Sequence, residues 1–129
     1  METKKTYLDY LETVAAQDVT GLRLSHKSYG DSCLRRGGVG LYMMFVRKSD
    51  RIEHQVKMFL YDLFAAYKAD DRKEGVLDDI RDLRRYLMIA EAELMATYGL
   101  TPDDNPQGVD LEGSEPDGNY TNQDGSSCT

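Results

Sequence analysis

Residues 74–87, EGVLDDIRDLRRYL, decide the fold. From Val76 the apolar residues Ile80, Leu83, Leu87, Ala90 and Leu94 follow at steps of four, three, four, three and four, the period of a helix with one buried face. Three aspartates crowd its first turns. Asp78 and Asp82 stand at i, i+4 and Asp79 and Asp82 at i, i+3, so two carboxylate pairs project within one turn of each other. Paired carboxylates on a rigid helix suit a hard divalent cation. Spacing leaves Asp78 and Asp79 equivalent, but on a helical wheel Asp79 lies nearer the apolar stripe and is expected to face the site with Asp82. The rival is plain ion pairing of these acids with Arg81, Arg84 and Arg85.

Outward from this helix the chain reads as all-α, a bundle of three or four helices. A first helix is expected from Lys4 to Ala16, with Tyr7, Tyr10, Leu11 and Val14 on one face and Gly21 beyond its end. A second is expected to start near Val39 and to run through LYMMFVRKSDRIEHQVKMFLYDLFAAYKA, with room for a kink around residues 53 to 57. The polar run Asp70 to Lys73 turns the chain into the Glu74 helix, which should reach Tyr98 before Gly99 closes it. No strand alternation and no internal repeat is present.

Charge divides the chain in two. Residues 1–100 hold all 16 Lys and Arg together with 16 of the 23 Asp and Glu, so the formal net charge of -7 belongs entirely to residues 101–129. That segment also holds the three prolines and little apolar surface, and is expected to be a disordered acidic tail after a folded domain of residues 1–100. The balanced domain offers no global steering toward duplex nucleic acid. Cys33 and Cys128 have neither metal-ligand spacing nor a reason to pair, which fits a reducing compartment. Without a charged-then-apolar leader or a long uncharged apolar run, a cytoplasmic protein with no membrane segment is expected. Met- and Tyr-rich apolar helices in so short a chain point to a homo-oligomer.

Two stretches carry candidate chemistry. Asp50 and Glu53 form a second acidic pair at i, i+3 on the second helix; packed antiparallel against the Glu74 helix, they would meet Asp79 and Asp82 around Mg2+ or Mn2+. The glycine-rich stretch from His26 to Gly40 is the other. Phosphate oxygens need close donors and backbone that can approach them, which Gly37 and Gly38 permit, while Arg35 and Arg36 supply forked cationic donors beside a helix N-terminus. Lys27 and Arg51 add positive charge, and Tyr29 offers either a packing residue or a platform for a base. Neither GxxxxGK[ST] nor GxGxxG occurs.

Lys27, Tyr29, Gly30, Asp31 and Ser32 of KSYGDS, then Asp50 and Arg51, then Glu74, Asp78, Asp82, Leu83 and Tyr86, in this order, resemble the nucleotide modification associated domain 1 family of phage and bacterial proteins. The likeness covers residues 20–95 and singles out Asp78 rather than Asp79. It departs from the family pattern at Leu77 and Asp79, and at Cys33 and Ser49, where close relatives carry tryptophan. A looser likeness is to the all-α nucleoside triphosphate pyrophosphohydrolases, whose acid pairs on two helices bind Mg2+ around a triphosphate. Together these resemblances imply a phage-type protein of the host cytoplasm that binds a nucleotide or small phosphorylated ligand. Its expected activity is Mg-dependent phosphohydrolysis tied to nucleotide or DNA-base modification, with Asp50, Glu53, Asp79 and Asp82 as the catalytic carboxylates and Asp78 as a further metal ligand. The alternatives are a non-catalytic module that sequesters a nucleotide and a helical interaction protein.

Overall fold

The computed structural model describes residues 3–100. Four α-helices and two short 3-10 turns make up this region, with no strand among the described residues: α1 (Leu11–Tyr29), α2 (Gly37–Lys57), α3 (Leu63–Ala69) and α4 (Val76–Tyr98). The all-α expectation holds. The acidic segment 101–129 lies outside the described residues. Among the described residues no helix is long and apolar enough to cross a membrane.

The first helical segment starts in a capping box. Thr6 Oγ1 accepts from Leu8 N at 3.3 Å, and the Asp9 carboxylate accepts from Thr6 N at 2.8 Å. A 3-10 turn, Tyr7–Tyr10, then feeds α1, which passes straight through Gly21 instead of ending before it. A glycine inside a helix costs roughly 1 kcal/mol relative to alanine. Here its bare Cα receives a side chain from another helix, because a Cβ at Gly21 would come within 2.7 Å of Arg85 Nη1. The helix ends instead at Gly30, whose φ of 60° and N–H bond to the His26 carbonyl close it.

The expected second helix, running from Val39 to Ala69, is two helices. It begins two residues earlier, at Gly37, and stops at Lys57. Tyr61 N donates to the Val56 carbonyl at 2.8 Å, with Leu60 and Tyr61 both in the left-handed region at φ 54° and 64°. Asp62 then restarts the helix by accepting from Phe64 N and Ala65 N. A break a few residues beyond the expected kink position therefore divides α2 from α3.

The entry to α4 is held by a carboxylate from outside the helix. Asp70 accepts from Val76 N at 2.6 Å and is gripped by Arg72 through Nε and Nη2, each at 2.8 Å. Gly75 is required between them, since a Cβ there would collide with the Asp70 carboxylate. Asp70→Ala is expected to lower the melting temperature by about 5 °C, the scale of losing a helix cap, in a thermal denaturation followed by circular dichroism. At the other end Gly99, at φ 69°, closes α4 as its position in the sequence indicates.

The described residues divide into two units, one up to Ala90 and one from Glu91 to Leu100. In the first unit the buried apolar residues are Leu41, Val56, Ala66 and Val76. Of the stripe read from the sequence, Val76 is buried and Ile80, Leu83 and Ala90 are half-buried, while Leu87 is exposed. Besides Ala66 and Val76, the most deeply buried side chains are acids, Asp18 and Asp79, each 1% exposed. In the second unit Thr97 Oγ1 donates to Glu93.

Candidate functional site

Two buried aspartates tie three helices together. Asp18 on α1 receives Arg84 and Arg85 of α4. Arg84 bonds it through Nε and through Nη2, the latter at 2.8 Å, and Arg85 Nε donates to Oδ1 at 2.8 Å. Arg85 Nη2 continues to the Gln17 carbonyl at 3.2 Å. Asp79 on α4 receives Arg51 of α2, whose Nε donates at 2.7 Å and whose Nη2 reaches the Glu74 carbonyl at 3.2 Å. Lys48, one turn earlier on α2, lies 2.9 Å from Asp82 and 3.7 Å from Asp79.

These pairs redistribute the expected site. The α2 face that reaches α4 is basic, presenting Lys48 and Arg51, whereas Asp50 and Glu53 are exposed. Among the described residues no group of three or more His, Cys, Asp or Glu assembles that could hold a metal ion, so the four-carboxylate arrangement of Asp50, Glu53, Asp79 and Asp82 is not formed within the protomer. Asp79 is buried, as its wheel position near the stripe implies, but it turns toward Arg51 rather than toward a cleft with Asp82. Ion pairing of the aspartate cluster does occur, with partners other than the neighbouring arginines. Lys48 and Arg51 take Asp82 and Asp79, while Arg84 and Arg85 reach across to Asp18.

The opposite wall of α4 opens onto a cleft against α1. It consists of two adjoining cavities that share Asp82 and Arg85, of about 690 and 280 Å³. The larger is lined by Thr13, Gln17, Thr20 and Gly21 of α1 and by Asp78 and Arg81 of α4. The smaller lies where α1 ends, between Ser25, Tyr29, Gly30, Ser32 and Cys33 on one side and Tyr86 and Ile89 on the other. Asp78 and Asp82 thus share a cavity wall. Asp78 also accepts from Gly75 N at 3.2 Å. Arg81 makes no ion pair among the described residues. Burial pushes the Tyr86 phenol above its ordinary value, and the nearby Asp82 carboxylate pushes it further, with Lys48 and Arg47 opposing.

The cleft gathers cationic, hydroxyl and aromatic side chains, and its larger cavity, about 690 Å³, is in the size range of small-ligand sites. The glycine-rich stretch contributes less than its composition suggests. Arg35, Arg36, Gly37 and Gly38 are exposed, and a Cβ on Gly40 at the start of α2 would come within 2.6 Å of Arg36 Cβ. Lys27 lies on another face of α1, with Val19, Leu22, Arg23 and His26. Tyr29, 71% exposed, is at the mouth of the smaller cavity.

Sequence reasoning missed Asp18 and Lys48, and missed Arg85 as a cleft residue. Their signals were weak: one acid among polar neighbours in α1, and a lysine three residues before Arg51. Comparison of the chain with protein-family models, with curated proteins and with solved structures gave no match.

Proposed function

We propose that the chain binds a nucleotide or a similarly small phosphorylated ligand in the α1–α4 cleft. The observation that carries this reading is convergence. SYGDSC, at the end of α1, and DIRDLRRY, at least 46 positions later in the sequence, line one cavity through Tyr29, Gly30, Ser32 and Cys33 and through Asp82, Arg85 and Tyr86. Tyr29, Gly30, Ser32, Asp82 and Tyr86 of this lining are among the residues that carry the resemblance to the nucleotide modification associated family, whereas Asp50 and Arg51, which also carry it, lie outside the cavity. Arg81 and Arg85 would meet the phosphates, and Tyr29 and Tyr86 would flank the base. Under the same resemblance the ligand belongs to the nucleotide chemistry of a phage-infected cytoplasm.

Isothermal titration with a panel of ribo- and deoxyribonucleotides, modified pyrimidines included, tests the proposal. At least one should bind, and Arg81→Ala should weaken it about tenfold or more, the scale of a charge-assisted contact, without lowering the melting temperature. Lack of binding across the panel would sink the reading.

A second reading, Mg-dependent phosphohydrolysis, is favoured by Asp78 and Asp82 on the same cavity wall. Mg2+ is commonly held by one or two carboxylates together with substrate phosphates, so this pair suffices in number where the fuller set is lacking. Bound there, the ion would neutralise phosphate charge and activate water. Release of phosphate or pyrophosphate with Mg2+ or Mn2+ should then be abolished by Asp82→Asn, while nucleotide binding without metal persists. A nucleotide that binds and is never turned over leaves the sequestering module as the function.

A further inference from the structure

We infer that α1 is a dimerisation helix, pairing antiparallel with α1 of a second copy of this chain. Leu11, Ala15, Val19 and His26 recur at helical steps along one side of α1, and Leu8 of the 3-10 turn before it continues the row. Leu22, at the edge of this side, already lines the cleft with Arg85 and Tyr86, and the rest of the side lies away from Gln17 and Gly21, which take up Arg85. Leu8 is 62%, Leu11 52% and Val19 42% exposed. A contiguous apolar stripe of this kind marks an interaction surface. The protomer also needs one, because Leu41, Val56, Ala66 and Val76 alone make a small core for a domain of this length.

Charge selects the occupant. Exposed Glu12 flanks the beginning of the stripe and exposed Arg23 its end, while Asp9 caps the 3-10 turn, Lys4 and Lys5 precede it, and Asp31 pairs with His26. An antiparallel copy related by a two-fold axis sets Glu12 of each chain against Arg23 of the other, so the surface is complementary to itself. A parallel copy would place acid on acid at one end and base on base at the other. The segment 101–129, with seven acids and no Lys or Arg, complements only the basic end. Residues 1–100 hold equal numbers of acids and bases, so the paired domains themselves add no net repulsion, and the charge of -7 on each copy lies in residues 101–129.

Sedimentation equilibrium of the full chain should give twice the 14.6 kDa chain mass. Glu12→Arg and Arg23→Glu, each alone, should raise the dimer dissociation constant about tenfold or more by placing like charges opposite each other. The double variant, which restores the pairing with its sign reversed, should return it close to wild type. All three should keep the wild-type circular dichroism, since both positions are exposed. Val19→Glu should give a folded monomer. A monomeric wild type overturns the proposal, as does a dimer whose strength is indifferent to Val19→Glu and to the single charge reversals.

Discussion

Asp18→Ala is expected to lower the unfolding free energy by about 3 kcal/mol, measured by urea denaturation, because it leaves two arginines that had converged on one buried carboxylate without their partner. The figure belongs to the lower end of the range for broken buried pairs. Arg84 and Arg85 are 32% and 28% exposed, so water can take over part of their solvation. A structural role predicts more than a loss of stability. The bond from Arg84 holds the Asp18 carboxyl below its ordinary value of 3.8; burial works against this, and Arg85 adds to the lowering. Arg72 does the same for Asp70.

A carboxyl whose folded-state pKa lies below the unfolded one stabilises the fold fully above the unfolded value and loses that contribution as pH falls through the folded one. Stability should therefore be flat with respect to these groups above about pH 5 and decline as the pH drops below about 4. In Asp18→Asn the decline should be shallower, starting from a lower plateau. An unchanged acid limb in that variant would remove Asp18 from the account.

Asp79→Ala is expected to cost about 2 to 3 kcal/mol in the same assay, for a related reason with a different geometry. Arg51, Lys48 and Arg72 all point at this carboxylate, the last two at 3.7 and 4.0 Å, and only Arg51 hydrogen-bonds it. Its Oδ2 is buried and has no hydrogen-bond partner among the described residues. An unpaired buried acceptor carries an unrepaid desolvation cost of about 1 to 3 kcal/mol. Removing both charges should consequently be milder than removing one. Asp79→Leu combined with Arg51→Met is expected to lose less stability than Asp79→Ala alone, since no buried charge is stranded and apolar surface is added beside Val76. A double variant that is less stable than the single one would show that this pair fixes the helices by more than charge.

Sequence by itself determined that the chain is helical and where its last helix lies. The three- and four-residue steps from Val76 and the stop at Gly99 are local signals, and a helix is a local structure with its hydrogen bonds four residues apart. The break between α2 and α3 was harder to place, because Asp62 is a cap only once Leu60 and Tyr61 have turned left-handed. Gly21 misled for the same reason in reverse. Its propensity argues for an end, and the reason it is tolerated, the guanidinium of Arg85 against its Cα, comes from 64 positions away.

Partner choice among charges was the part only the tertiary structure decided. Thirty-two charged side chains in residues 1–100, half of each sign, allow many pairings of similar energy on the surface. Which of them become buried depends on how the helix axes lie. Those axes put Lys48 and Arg51, rather than Asp50 and Glu53, against α4, sent Arg84 and Arg85 to Asp18, and left Asp78 with Asp82 on the cleft. Coulomb attraction has no sequence period, so a helix that reads clearly as EGVLDDIRDLRRYL could not announce which of its three aspartates would be a buried lock and which would line the cleft.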